Sequence, residues 1–254
     1  MHHVTRRFFL LSSAALSAGC AIRERMTDAT AHPAQNVRQP VPGQSWRYAK
    51  HDIFSRSVVD EQVDQVGAID HTVEIHSRFQ AVDVEAKPGW GASLLTQYTG
   101  QRAGPGGALT SEIQDPWGAV VLDPHWSEVQ VYETPIPLWP TKLVPGWQTR
   151  ISTNYKTPAD QDALPWKQTM KAQVWETVTV PAGQFKALRF TNYIKFKHSD
   201  FSRTDSERRE TIWFVPEVGR WVARESQGTY YFADSRVKQP YNENGYRWEL
   251  LEWS

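Results

Sequence analysis

Residues 188–197 restrict this chain more than any other stretch. Alternate positions read Leu188, Phe190, Asn192, Ile194 and Phe196, and the other parity reads Arg189, Thr191, Tyr193, Lys195 and Lys197. A period of two, apolar against polar, is what a β-strand with one buried and one wet face produces. Upstream, Val174, Val178 and Val180 share one parity, with Gln173, Thr177 and Thr179 on the other. Pro181-Ala182-Gly183 lies between the two runs. Proline presets φ for the first corner of a turn, and the glycine can take the positive-φ position that closes a three-residue hairpin. Pro216-Glu217-Val218-Gly219 joins Thr211–Val215 to Arg220–Arg224 by the same chemistry. Residues 171–226 therefore read as an antiparallel meander with structural turns at Pro181, Gly183, Pro216 and Gly219.

Two motifs within this meander carry a family resemblance. Val180-Pro181-Ala182-Gly183-Gln184-Phe185 and the run Trp213–Val222, WFVPEVGRWV, resemble uncharacterised β-rich lipoproteins of the bacterial envelope. The proline-rich run at 135–147, PIPLWPTKLVPGW, is similar to that family's lead-in to its C-terminal half. The likeness spans 135–226 and implies an envelope β-domain. It brings no catalytic residues with it.

The N-terminus points to the same compartment. Thr5-Arg6-Arg7-Phe8-Phe9-Leu10 opens an apolar run, Phe8–Ala18, that is too short for a permanent membrane span. Arg6 and Arg7 match a twin-arginine export signal. Leu16-Ser17-Ala18-Gly19-Cys20 looks like a lipobox, with serine where leucine is usual at the third place before the cysteine. Cys20 is the sole cysteine, so no disulfide can form within the chain, and a thiol behind small residues suits acylation. Multiple acyl chains anchor stably, whereas one is marginal. Ala21 follows where inner-membrane retention commonly uses aspartate, which by analogy favours the periplasmic face of the outer membrane. The expected organisation is a signal peptide over 1–19, a lipid-anchored tether over 20–42 and a β-domain over 43–254. The tether shows no apolar periodicity and contains three prolines between residues 21 and 42.

Charge excludes some partners. The 28 basic and 28 acidic residues balance, and loss of Arg6 and Arg7 with the signal leaves a slight acidic excess. No basic field exists to draw nucleic acid. Twelve tryptophans supply large rings for a β core, or an aromatic surface for sugars or lipid. Outside the meander, strands are expected at Ser45–Ala49, Val58–Gln65, Asp70–Gln80, Ala119–Leu122, Glu128–Tyr132, Trp147–Ser152, Gly228–Ala233 and Tyr246–Trp253, with a short one at Leu94–Tyr98. Gly and Pro punctuation over 87–118 reads as a long loop. Pro42-Gly43 and Pro145-Gly146 each open a tryptophan-bearing strand, hinting at related halves, 43–134 and 135–254. The predicted fold is all-β and antiparallel, a sandwich or strongly curved half-barrel with little helix beyond the signal peptide.

Candidate chemistry is sparse. Asp70-His71-x-x-Glu74-x-His76 is the densest ligand-type cluster, but its histidines have opposite strand parity and could not share a metal without a bulge. Asp205, Glu207, Arg208, Arg209 and Glu210 read as a solvated hairpin end. No nucleophile elbow, zinc-protease helix, phosphate loop or dinucleotide fingerprint occurs. No catalytic residue, metal or cofactor is expected. The expected role is a non-enzymatic envelope lipoprotein that binds or scaffolds another envelope component. One alternative is a carrier of an acyl chain or other apolar ligand. Another is an envelope-polymer hydrolase using carboxylates such as Asp70, Glu74 or Asp123, which would have to face each other at about 5–9 Å.

Overall fold

The computed structural model describes residues 37–81, 109–115, 118–123, 129–158, 160–234 and 239–254. Cys20, Arg6, Arg7 and the expected strand at 94–98 lie outside them. Every regular element among the described residues is a strand: β1 (Ser45–Asp52), β2 (Val58–Ile69), β3 (Val73–Ala81), β4 (Leu109–Gln114), β5 (Ala119–Asp123), β6 (Gln130–Pro137), β7 (Gln148–Lys156), β8 (Leu164–Val180), β9 (Gly183–Phe196), β10 (Arg203–Val215), β11 (Arg220–Phe232), β12 (Tyr241–Asn242) and β13 (Tyr246–Trp253).

From β1 to β11 each strand pairs antiparallel with the next. β13 then pairs with β1 on one side and β11 on the other, so the ring closes through every strand except the two-residue β12. The result is a closed twelve-stranded barrel, where the sequence pattern suggested a sandwich or half-barrel. Closure removes the free sheet edges that an open half-barrel would expose. The closing contact joins strands about two hundred residues apart (Trp46 with Trp253), which no local pattern reports.

Side-chain alternation sets the wall. On β9, Leu188, Phe190, Asn192, Ile194 and Phe196 are all buried. Arg189, Thr191, Tyr193 and Lys195 occupy the other parity, and the outer parity of β8 brings Lys167 and Lys171. Ionic side chains at the middle of a lipid-facing wall are costly, so this outer surface suits water. On β8 a bulge between Ala172 and Val174 breaks the phase. Val178 and Val180 are buried as expected, but Val174 is turned outward.

The turns follow their residues. The β8–β9 loop is the two residues Pro181-Ala182, because Gly183 already pairs with Val180, and Gly183 has φ +134°. At the next hairpin Gly219 has φ +71°, and its N–H donates to Val215 O at 3.0 Å. The Pro-Gly segments ahead of β1 and β7 share a local structure. Gly43 (φ +85°) and Gly146 (φ +87°) donate to the carbonyls of Val66 and Ala172 on the neighbouring strand. The residues after them, Gln44 and Trp147, accept back from Val66 and Ala172. The division placed at 134/135 falls inside β6, whereas these segments open the first and seventh strands of the twelve.

Two apolar clusters fill the barrel. One gathers Trp46, Tyr48, Met170, Leu188, Phe190, Phe214, Trp221 and Leu250 near the end that carries the Pro181 and Pro216 turns. The other gathers Val120, Tyr132, Tyr155, Leu164, Trp166, Ile194 and Phe196. Trp166 is its hub, with edge-on contacts to Tyr132 at 5.3 Å and Tyr155 at 5.7 Å between ring centroids. The described tryptophans are thus mainly core. Trp46, Trp147, Trp166 and Trp221 are buried, and Trp139, Trp175, Trp213, Trp248 and Trp253 pack partly against the first cluster.

Candidate functional site: a charge-paired belt across the lumen

Polar residues on the inward parity separate the two clusters. On β9, Asn192 falls between Phe190 of one and Ile194 of the other; on β8, Gln168 falls between Met170 and Trp166. β10 is the largest departure from the sequence reading. Arg208 and Glu210 share the parity of Ile212 and Phe214 and are buried, so only the other parity of the 205–210 run faces outward. The register decides this, since Glu210 pairs with Asn192 on one side and Ser226 on the other, inside the barrel wall.

Three guanidiniums organise the belt. Arg220, the first residue of β11, is 3 % exposed, and its Nη2 donates to Asp64 Oδ2 at 2.8 Å while Nη1 lies 3.7 Å from Glu112 Oε1. Asp64 Oδ1 accepts from Gln62 Nε2 and Ser77 Oγ, each at 2.8 Å, and Gln114 Nε2 donates to Glu112. Burial lowers the Arg220 pKa, but attraction to Asp64 and then Glu112 outweighs it, leaving the group above the ordinary arginine value. Arg224 bonds Glu210, whose second oxygen accepts from Asn192 Nδ2 at 3.0 Å. There too burial opposes the charge, and the attraction of Glu210 more than restores it. Arg208 donates through Nε and Nη2 to Glu243 Oε2, both at 3.0 Å. Gly228 makes that pairing possible, because a Cβ there would stand 2.1 Å from the Glu243 carboxylate.

Aromatic rings brace the belt. Tyr48 stacks on Trp221 with 3.8 Å between centroids, and its hydroxyl donates to Trp221 O at 3.0 Å. Burial pushes the Tyr48 phenol well above its usual pKa, with Arg220 acting against that push. The Arg220 guanidinium lies 5.1 Å from the Trp46 ring centroid, and Arg224 lies 5.6 Å from that of Trp248. Between the belt and the Trp166 cluster is a small pocket of about 50 Å³, partly open to solvent. Glu112, Asp123, Asn192, Glu210, Arg220 and Arg224 border it on one side, and Val120, Tyr132, Ile136 and Trp166 on the other.

The carboxylates considered for hydrolysis are not brought together. Asp70 is highly exposed in the β2–β3 turn beside His71, Glu74 sits 3.6 Å from His76 on β3, and Asp123 borders the lumen pocket. Among the described residues no group of three or more His, Cys, Asp or Glu is placed to hold a metal ion. The belt was legible in part. The parity of Asn192 with Leu188, Phe190, Ile194 and Phe196 marked it as inward, whereas Arg208 and Glu210 read with their charged neighbours as solvated although they share the parity of Ile212 and Phe214. Asp64 and Glu112 gave no such signal, since β4 falls within the stretch read as loop.

No protein-family model and no curated protein matches the sequence. Two solved structures show a distant similarity to it. One, described as a candidate lipoprotein from Parabacteroides distasonis, is 11% identical, with 85% of this chain and 97% of that chain covered and a TM-score of 0.46. The other, described as a candidate exported protein with a YmcC-like fold from Bacteroides fragilis, is 9% identical, with coverages of 86% and 98% and a TM-score of 0.38.

Proposed function

We propose that this chain is a non-enzymatic lipoprotein of the cell envelope, anchored through Cys20 at the periplasmic face of the outer membrane, whose barrel binds or scaffolds another envelope component. The observation that carries the proposal is the order of parts along the chain. A signal with Arg6 and Arg7 precedes Cys20, the proline-bearing tether follows, and the barrel begins at Ser45 with a charged, water-suited outer wall. Such a wall suits a domain held beside a membrane rather than within it. An apolar acyl cargo fits the lumen less well, because charged side chains form one border of its free space.

Replacing Cys20 with serine is expected to move the protein from the membrane to the soluble fraction and abolish labelling by a fatty-acid analogue. Unchanged membrane association would sink the proposal. Arg6→Lys with Arg7→Lys is expected to arrest export, and normal processing of that variant would point to the general secretory route.

A further inference from the structure

The chain enters the barrel through one end and is held there. Val37, the first described residue, is buried in the cluster that holds Trp46 and Phe214. Arg38 N–H donates to Pro216 O at 2.9 Å, the Arg38 guanidinium lies 5.1 Å from the Trp253 ring centroid, and Trp46 Nε1 donates to Val218 O at 3.2 Å. The β8–β9 turn reaches across the same end, since Ala182 N–H donates to Leu250 O at 2.9 Å. The start of β1, the end of β13 and the turns at 181–182 and 216–219 therefore share the end from which the chain leads back to Cys20.

Reach favours that end as the side toward lipid. Seventeen residues lead from Cys20 to Val37, and at full extension they span at most about 60 Å. The 14 residues of β9 run the height of the wall, about 35 Å once strand tilt is allowed for. Turning the opposite end to the bilayer would take up more than half of that reach along the wall and restrict the chain that supplies it. The rim at the entry end is also apolar in two places. Val41 and Val144 are 49 % and 59 % exposed, each just ahead of a Pro-Gly segment. The strands that those segments open, β1 and β7, lie half-way round the ring from each other. Lipid against the end meets both tips, whereas lipid against the wall meets Lys167, Lys171, Arg189 and Lys195. The opposite end exposes Phe54 and Phe201, so exposure alone does not choose between the ends, and the entry of the chain does.

We propose that the barrel stands end-on at the bilayer, with the rim tips Val41 and Val144 against the lipid surface. Apolar contacts on opposite sides of the rim hold the barrel axis upright, which a single contact would not. The opposite end, with the turns that carry Phe54 and Phe201, then faces away from the membrane and is the side free to meet another envelope component. The assignment rests on reading Cys20 as the anchor, and it adds which face of the domain the lipid covers.

The test uses the full-length acylated protein in phospholipid vesicles whose headgroups carry a nitroxide quencher. Cys20 is the sole cysteine and acylation blocks its thiol, so Val144→Cys, Val41→Cys or Phe201→Cys each adds the one site for a thiol-reactive fluorophore. All three positions are exposed, so the labels leave the core intact. The labels at 144 and 41 are expected to lose most of their emission in these vesicles and the label at 201 none. A label at 201 quenched as much as that at 144, or no quenching at any position, overturns the assignment. Flotation with the vesicles is read on the same samples. Protein that does not float refutes the anchor and the orientation with it, whereas protein that floats with an unquenched label at 144 refutes the orientation alone.

Discussion

Arg220→Met is expected to lower the stability of the barrel by about 3–5 kcal/mol, the range for removing one partner of a buried ion pair. Arg220, Asp64 and Glu112 are 3 %, 0 % and 3 % exposed, so water cannot replace the guanidinium at either carboxylate. Asp64 keeps its bonds from Gln62 and Ser77, which places the loss toward the lower end of the range. For a domain of this size each kcal/mol lowers Tm by about 2–4 °C, so the melting point should drop by about 6–20 °C. Pairing the change with Asp64→Asn removes one orphaned charge and should recover about 1–3 kcal/mol. Urea melts followed by tryptophan fluorescence give both quantities. Arg47→Met is the control, since Arg47 bonds Glu252 and Glu61 at the surface, where such pairs contribute about 1 kcal/mol or less. A loss below about 1 kcal/mol for Arg220→Met at neutral pH would refute the role of Arg220 as counter-ion to the belt.

Two further predictions concern backbone and titration. Gly183 has φ +134°, and a Cβ there would meet only Phe185 Cε2 at 3.9 Å, so Gly183→Val should cost about 1–3 kcal/mol from backbone strain alone and Gly183→Asn less. Gly219→Ala should cost at least as much, because its Cβ would stand 2.7 Å from Arg38 O; melting temperatures equal to wild type would show these turns to be misread, and faster tryptic cleavage at Arg38 would report the displaced segment. The His198 pKa is lowered by burial and then by Arg203, and its Nδ1 accepts from Asp200 N–H at 2.9 Å, a bond that a protonated ring cannot accept. The unfolded chain therefore binds that proton first, so stability should fall as the pH drops below about 6.5 and His198→Asn should flatten the fall. An identical pH profile in the variant would count against it.

Local pattern alone determined the strands of the meander, because a strand's period of two and the φ demands of Pro181, Gly183, Pro216 and Gly219 are satisfied within a few residues. The same parity held the key to Asn192, Arg208 and Glu210, though charge density made the last two read as solvent-facing. Only the tertiary structure decided that the sheet closes, since β13 must meet both β1 and β11 and the contact with β1 joins the two ends of the domain. Closure then decided the fate of the charges. Asp64 on β2, Glu112 on β4 and Arg220 on β11 carry no shared local signal, and they become one buried network only when the ring brings those strands around a common lumen. Hydrophobic periodicity is written in neighbouring residues, whereas the pairing of buried charges depends on distances that exist only after the chain has folded.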